Sequence, residues 1–130
     1  MEMQFAERVR NITWKEFQEQ AEKFPEIKLF EAIDDDVLLK TDDIEYYAGV
    51  TKETVRNWAR TGKIRVHAPV GKILINGDDF KEFMYERLKK LGLQLSQEKA
   101  KLARLKDSSQ IMKSQKKVES IVKRLAYYYR

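Results

Sequence analysis

Apolar and polar positions along this chain recur with helical periods, interrupted by short turns. Trp14, Phe17, Ala21 and Phe24 fall at helical spacing and draw one apolar stripe that faces a core. Thr13-Trp14-Lys15-Glu16 has the form of a capping box, in which hydroxyl and carboxylate satisfy each other's exposed amides, so a helix starts there. Pro25 stops it. Ile27 to Ile33 fits a short strand or a second helix equally well. Asp34-Asp35-Asp36 reads as a solvated loop, because a metal site would need further oxygen ligands at defined spacing.

Thr41, with Asp42 and Asp43 in the electropositive first turn, starts a helix that carries Ile44, Tyr47 and Ala48 on one face. Gly49 ends it. The next helix begins almost at once, with Thr51 as N-cap and Val50 placed to pack on Val55 as a hydrophobic staple. On this helix Val55, Trp58 and Ala59 point one way, while Lys52, Arg56, Asn57 and Arg60 project from the other side. Gly62 suits the residue just past the helix end. Ile64 to Ala68 and Lys72 to Ile75 then read as two strands joined by a turn at Pro69-Val70-Gly71. Asn76-Gly77-Asp78 offers a turn and an N-cap for a helix carrying Phe80, Phe83, Met84, Leu88 and Leu91, which Gly92 closes. Beyond it lie Ser96 to Leu105, a polar patch at Asp107-Ser108-Ser109, and Ile111 to Tyr128. In that last segment Ile111, Val118 and Leu125 fall seven apart, with Ser114 and Gln115 interrupting a seam.

These elements make a mainly α fold with a small β-hairpin. A winged helix-turn-helix core occupies residues 40–91, with an acidic helical extension over 1–39 and a basic helical tail over 92–130.

Charge sharpens this division. The 130-residue chain has a formal charge of +5, with 42% hydrophobic and 36% charged residues, enough for a core beneath a densely ionic surface. Residues 1–50 hold six Lys/Arg against thirteen Asp/Glu, residues 51–72 six against one, and residues from Arg87 onward thirteen against three. Cysteine is absent, which removes disulfides, thiolate metal sites and a cysteine nucleophile. The opening Met-Glu-Met-Gln-Phe lacks the layout of a signal peptide and no apolar run is long enough to span a bilayer, so the expectation is a soluble, cytoplasmic protein without membrane contact.

Two short helices joined by a tight glycine turn, the second with a basic face, form the arrangement that sets a helix into the major groove of duplex DNA. Arginine can take guanine O6 and N7 in a fork, and asparagine can do likewise with adenine. Thr51, Lys52, Thr54, Arg56, Asn57 and Arg60 are the candidate DNA contacts on the helix. Lys63, Arg65, His67 and Lys72 are those on or beside the hairpin, where cations gain affinity from phosphates without reading sequence. His67, the lone histidine, reads more readily as a surface side chain than as a ligand or catalyst. No phosphate-cradling glycine loop, zinc spacing or nucleophile with a base occurs, so no enzyme, metal or cofactor is expected. The basic tail either clamps phosphates, meets the acidic front, binds a partner or is simply solvated, and Tyr127-Tyr128-Tyr129 beside it suits a helix or subunit contact.

The run from Thr41 through Gly49-Val50-Thr51 to Trp58 resembles the signature of the MerR-type superfamily, which includes excisionase-like winged helices. Gly62-Lys63-Ile64 resembles that family's exit from the recognition helix, Gly71-Lys72-Ile73 its wing turn, and Asp79 to Met84 the short helix after the wing. The resemblance covers about a third of the chain. It implies double-stranded DNA binding through Thr51–Arg60 and the wing, usually as a dimer or cooperative array. Glu45 departs from the small alanine usual at its position. The resulting expectation is a regulator or architectural factor of a phage or mobile element, a homodimer or cooperative oligomer through its C-terminal helices, working beside a recombinase, polymerase or packaging motor. The alternatives are a small DNA-packaging subunit and a protein-interaction adaptor without DNA affinity.

Overall fold

The computed structural model describes residues 2–67 and 72–129. In order these form α1 (Glu2–Arg8), α2 (Trp14–Glu19), a 3₁₀ turn (Ala21–Lys23), α3 (Leu29–Ala32), β1 (Leu38–Leu39), α4 (Thr41–Ala48), α5 (Lys52–Arg60), β2 (Ile75–Asn76), α6 (Gly77–Arg104) and α7 (Ser108–Tyr128). The fold is mainly helical with one small antiparallel sheet, as the pattern implied. The chain divides into two compact units, one of Ile27–Tyr85 and one of the chain up to Glu26 together with Glu86 onward.

In the Ile27–Tyr85 unit, Leu29, Phe30, Ile33, Leu39, Ile44, Ala48, Val55, Trp58, Ile64, Ile75, Phe80, Met84 and Tyr85 are buried. The ambiguous segment resolves as helix α3. The sheet pairs β1 with β2, Leu38 opposite Asn76 and Leu39 opposite Ile75, so the strands come from distant parts of the chain and not from a local hairpin. The two strands expected at 64–68 and 72–75 do not form a ladder among the described residues, where only Ile75 is strand and pairs with β1; a single backbone bond, from His67 N–H to the Leu74 carbonyl at 2.7 Å, links the two segments. The sidedness of the first is as expected, with Ile64 buried and Lys63, Arg65 and His67 exposed. The turn at Pro69-Val70-Gly71, and Ala68 before it, lie outside the described residues.

Two helix starts differ from the sequence reading. At α4 the cap residue is Lys40, whose backbone N–H donates to the Asp43 carboxylate at 3.0 Å, so Thr41 sits inside the first turn. At α6 the helix begins at Gly77, ahead of Asp78, because backbone carbonyls take over the capping. Gly77 N–H donates to the Val37 carbonyl at 2.8 Å and Asp78 N–H to that of Asp35 at 3.0 Å, which satisfies donors that a helix start otherwise leaves open. Lys81 fastens the same loop from within: it is 7% exposed, and its ammonium donates to the Ile33 carbonyl at 2.7 Å and pairs with Asp35 at 2.6 Å. The aspartate loop is exposed as anticipated, and it is also the cap of α6.

The second unit is built on aromatic packing. Phe5, Phe17 and Phe24 meet with ring centroids 5.2–5.8 Å apart, a spacing at which edge-on geometry is favourable. Arg8 lies 4.2 Å over the Phe24 ring, donates to the Lys23 carbonyl at 2.7 Å and pairs with Glu26 at 3.0 Å. The Thr13–Glu16 capping box forms as written in the sequence, with Glu16 N–H donating to Thr13 Oγ1 at 3.2 Å and Thr13 N–H to Glu16 Oε1 at 3.1 Å. The donation from the Thr13 backbone, then that from its hydroxyl, hold the Glu16 carboxyl below its ordinary value. The helix ends at Glu19 and passes into the 3₁₀ turn, earlier than Pro25 alone requires.

Gly92 does not end a helix, since α6 continues to Arg104. Its lack of a side chain serves a crossing with α1, because a Cβ there would overlap the Cβ of Ala6. Gly92→Ala therefore should lower stability by about 1–3 kcal/mol through overpacking, although alanine is the better helix former by about 1 kcal/mol. A shifted denaturant midpoint checks this, and a variant more stable than its parent would show that α1 does not seat at Gly92. Ser114, read as a break in the α7 seam, is 3% exposed and donates to Glu98 at 2.6 Å. The seam continues through it as a polar pair.

Candidate nucleic-acid interface

The turn between α4 and α5 is set by local chemistry. Gly49 sits at φ 66° and its N–H closes α4 on the Glu45 carbonyl at 3.0 Å, a left-handed conformation that a Cβ disfavours. Two residues later Thr51 caps α5, its hydroxyl accepting from Thr54 N–H at 3.2 Å and lying 3.0 Å from the Thr54 hydroxyl. Thr51 and Thr54 are thus committed to building the helix start. At the far end, Lys63 N–H donates to the Trp58 carbonyl at 2.9 Å and Gly62 N–H to that of Ala59 at 3.4 Å, with Gly62 at φ 75°. This is the Schellman arrangement, and it turns the chain back toward Ile64.

Between these ends α5 is two-faced. Val55 is fully buried and Trp58 is 6% exposed, the indole lying 4.7 Å from the Phe83 ring. Lys52, Arg56 and Arg60 are exposed and Asn57 is half-buried. The structure therefore brings the four polar candidates of the helix onto one outward face.

Each of them also has an internal partner, which the sequence reading did not foresee. Lys52 pairs with Asp42 of α4 at 2.9 Å, and the hydrogen bond and charge of that carboxylate raise the lysine above its ordinary pKa. Arg56 lies 3.7 Å from Glu53. Arg60 donates to the Asn57 side-chain oxygen at 2.7 Å. An adenine fork from Asn57 needs that same oxygen as acceptor, so Asn57 must share or release it to read adenine. The available signal was an acid or amide one turn before Arg56 and Arg60; the Lys52 partner, Asp42, lies on α4 and had no such local signal.

The remaining candidates lie after α5. Lys63 and Lys72 are exposed. Arg65 reaches Asp79 at 3.7 Å, and His67 Nδ1 is hydrogen-bonded with the Asn76 amide at 3.2 Å. Tyr46, on α4, is an exposed aromatic that the sequence reading passed over, 60% exposed and edge-on to Tyr47 at 5.1 Å. Among the described residues no group of three or more His, Cys, Asp or Glu could hold a metal ion. No helix among them is long and apolar enough to cross a membrane.

Residues 38–87 match a family model described as a helix-turn-helix domain. The match starts at β1 and ends inside α6, and it contains every candidate contact named above. No curated protein and no solved structure matches the chain. Over these residues the chain is similar to a helix-turn-helix domain.

Proposed function

From the helix-turn-helix domain at residues 38–87, we propose that this protein binds double-stranded DNA sequence-specifically, with α5 in the major groove and the segment 64–75 against flanking DNA. The finer identity we propose is a MerR-type, excisionase-like regulator or architectural factor of a phage or mobile element, acting in the cytoplasm without catalysis. Lys52, Arg56, Asn57 and Arg60 address bases or phosphates; Thr51 and Thr54 set the helix start against the backbone; Lys63, Arg65, His67 and Lys72 contact phosphates. It acts as a dimer or cooperative array through the C-terminal helices, where Leu93 of α6 is an exposed apolar side chain.

One observation carries this reading: α5 buries Val55 and Trp58 while Arg56 and Arg60 stand exposed. A helix can enter a groove only if its apolar side anchors it and its polar side is unobstructed. Selection of bound duplexes from a random pool, followed by titration of the winner, tests it. Arg56→Ala and Arg60→Ala are each expected to weaken binding by about 1–3 kcal/mol, roughly 5- to 150-fold, with unchanged thermal midpoints. No affinity for duplex at low salt would leave the adaptor reading in its place. A palindromic consensus supports a two-fold dimer, and direct repeats a head-to-tail array.

A further inference from the structure

The outward face of α7 carries cations that nothing in the helix-turn-helix reading uses. The buried and half-buried residues Ile111, Ser114, Val118, Ile121, Leu125 and Tyr128 follow steps of three and four, so they occupy one side of the helix. Lys113, Lys116, Lys117, Lys123 and Arg124 are all exposed and fall on the other side. At 1.5 Å per residue the stripe is about 16 Å long.

Two features mark this stripe. Some cations elsewhere are matched, Arg8 with Glu26, Lys52 with Asp42, Arg56 with Glu53, Arg65 with Asp79 and Lys81 with Asp35, whereas the α7 stripe gathers five exposed cations on one helix face. None of the five on α7 pairs with a carboxylate among the described residues, although Glu119 sits within one turn of Lys116 and Lys123. Moreover Lys113 stands three and four residues from Lys116 and Lys117, a like-charge spacing that weakens a helix. A face kept for solubility gains nothing from that arrangement, whereas a polyanion laid along it relieves the repulsion. Duplex DNA carries one negative charge per about 1.7 Å of its axis, both strands counted, so a stripe of this length faces several phosphates.

We propose that the outer face of α7, at Lys113, Lys116, Lys117, Lys123 and Arg124, is a second nucleic-acid contact, one that grips the phosphate backbone of duplex DNA without reading sequence. It goes beyond the reading of α5, which uses none of these residues.

The test is a salt titration of binding to the selected duplex and to a random duplex, by the full chain and by three variants. Changing all five α7 cations to glutamine should weaken both duplexes by a similar factor and reduce the slope of log affinity against log salt by up to about 4.5, at about 0.9 per phosphate neutralised. Base preference in the selection should not change. Replacing the four lysines by arginine keeps the charge and should keep the slope. Arg56→Ala with Arg60→Ala should instead erase the difference between the two duplexes. The glutamine variant should fold, since removing like charges relieves the helix, and its circular dichroism is read alongside; should it unfold, the pair Lys116→Gln with Lys117→Gln, expected to lower the slope by about 2, decides in its place. A folded α7 variant with the slope of the parent overturns this inference and leaves the α5 reading standing. A lost sequence preference in that variant overturns it too. Unchanged discrimination in the Arg56/Arg60 variant overturns the α5 reading alone.

Discussion

Trp58→Ala is expected to cost the Ile27–Tyr85 unit about 3–5 kcal/mol, the usual range for removing a large buried aromatic. The indole is 6% exposed and lies 4.7 Å from the Phe83 ring. It also sits on the residue whose carbonyl closes the exit of α5 by accepting from Lys63 N–H. The void left behind therefore loosens the floor of α5 and its exit turn together. Against a whole-domain stability of about 5–15 kcal/mol, this loss should bring unfolding close to ambient temperature. Thermal melts followed by circular dichroism check it, with Arg56→Ala and Arg60→Ala as controls that should melt like the parent. Equal destabilisation of all three would mean that the arginines are also structural.

Gly77→Ala is expected to be the second large effect. A Cβ at this position would overlap the backbone carbonyl of Asp34, which, unlike the end of a long side chain, cannot swing aside. Either the 33–37 loop retreats or α6 starts later. In both cases the two backbone bonds from Gly77 and Asp78 lengthen and Lys81 is drawn away from Ile33 and Asp35. Overpacking costs about 1–3 kcal/mol, and a buried ammonium losing its partners adds to that. Amide hydrogen exchange should report the damage at Gly77 and Asp78 first. Unchanged protection at both amides would show that the loop does not cap the helix.

The helix-turn-helix was legible because its determinants are local. Thr51, Val50, Val55, Gly49 and Gly62 lie within a few residues of what they fix, so caps, staple and turns can be read along the chain. The two-faced character of α5 followed from the same spacing. What escaped notice depends on partners far away in sequence. The sheet pairs two residues with two others more than thirty positions later, too short for alternation to show. Gly92 has the same local surroundings as a helix-ending glycine, and only Ala6 distinguishes them. Ser114 looked like a defect until Glu98 stood opposite it. α1 shows no start signal like those of α2 and α5, and its place comes from the contacts of Phe5 with Phe17 and Phe24. At the candidate interface, the residues were visible but their mutual pairing was not.

That pairing on α5 has its own outcome. Lys52, Arg56 and Arg60 each carry a resident ligand, in Asp42, Glu53 and Asn57, so in the proposed complex with DNA docking would exchange one partner for another. A base that fits would displace the resident, while a base that does not would leave the side chain where it was, with no stranded charge. On the proposed function, mismatched sites would then be disfavoured by a missing reward more than by a penalty.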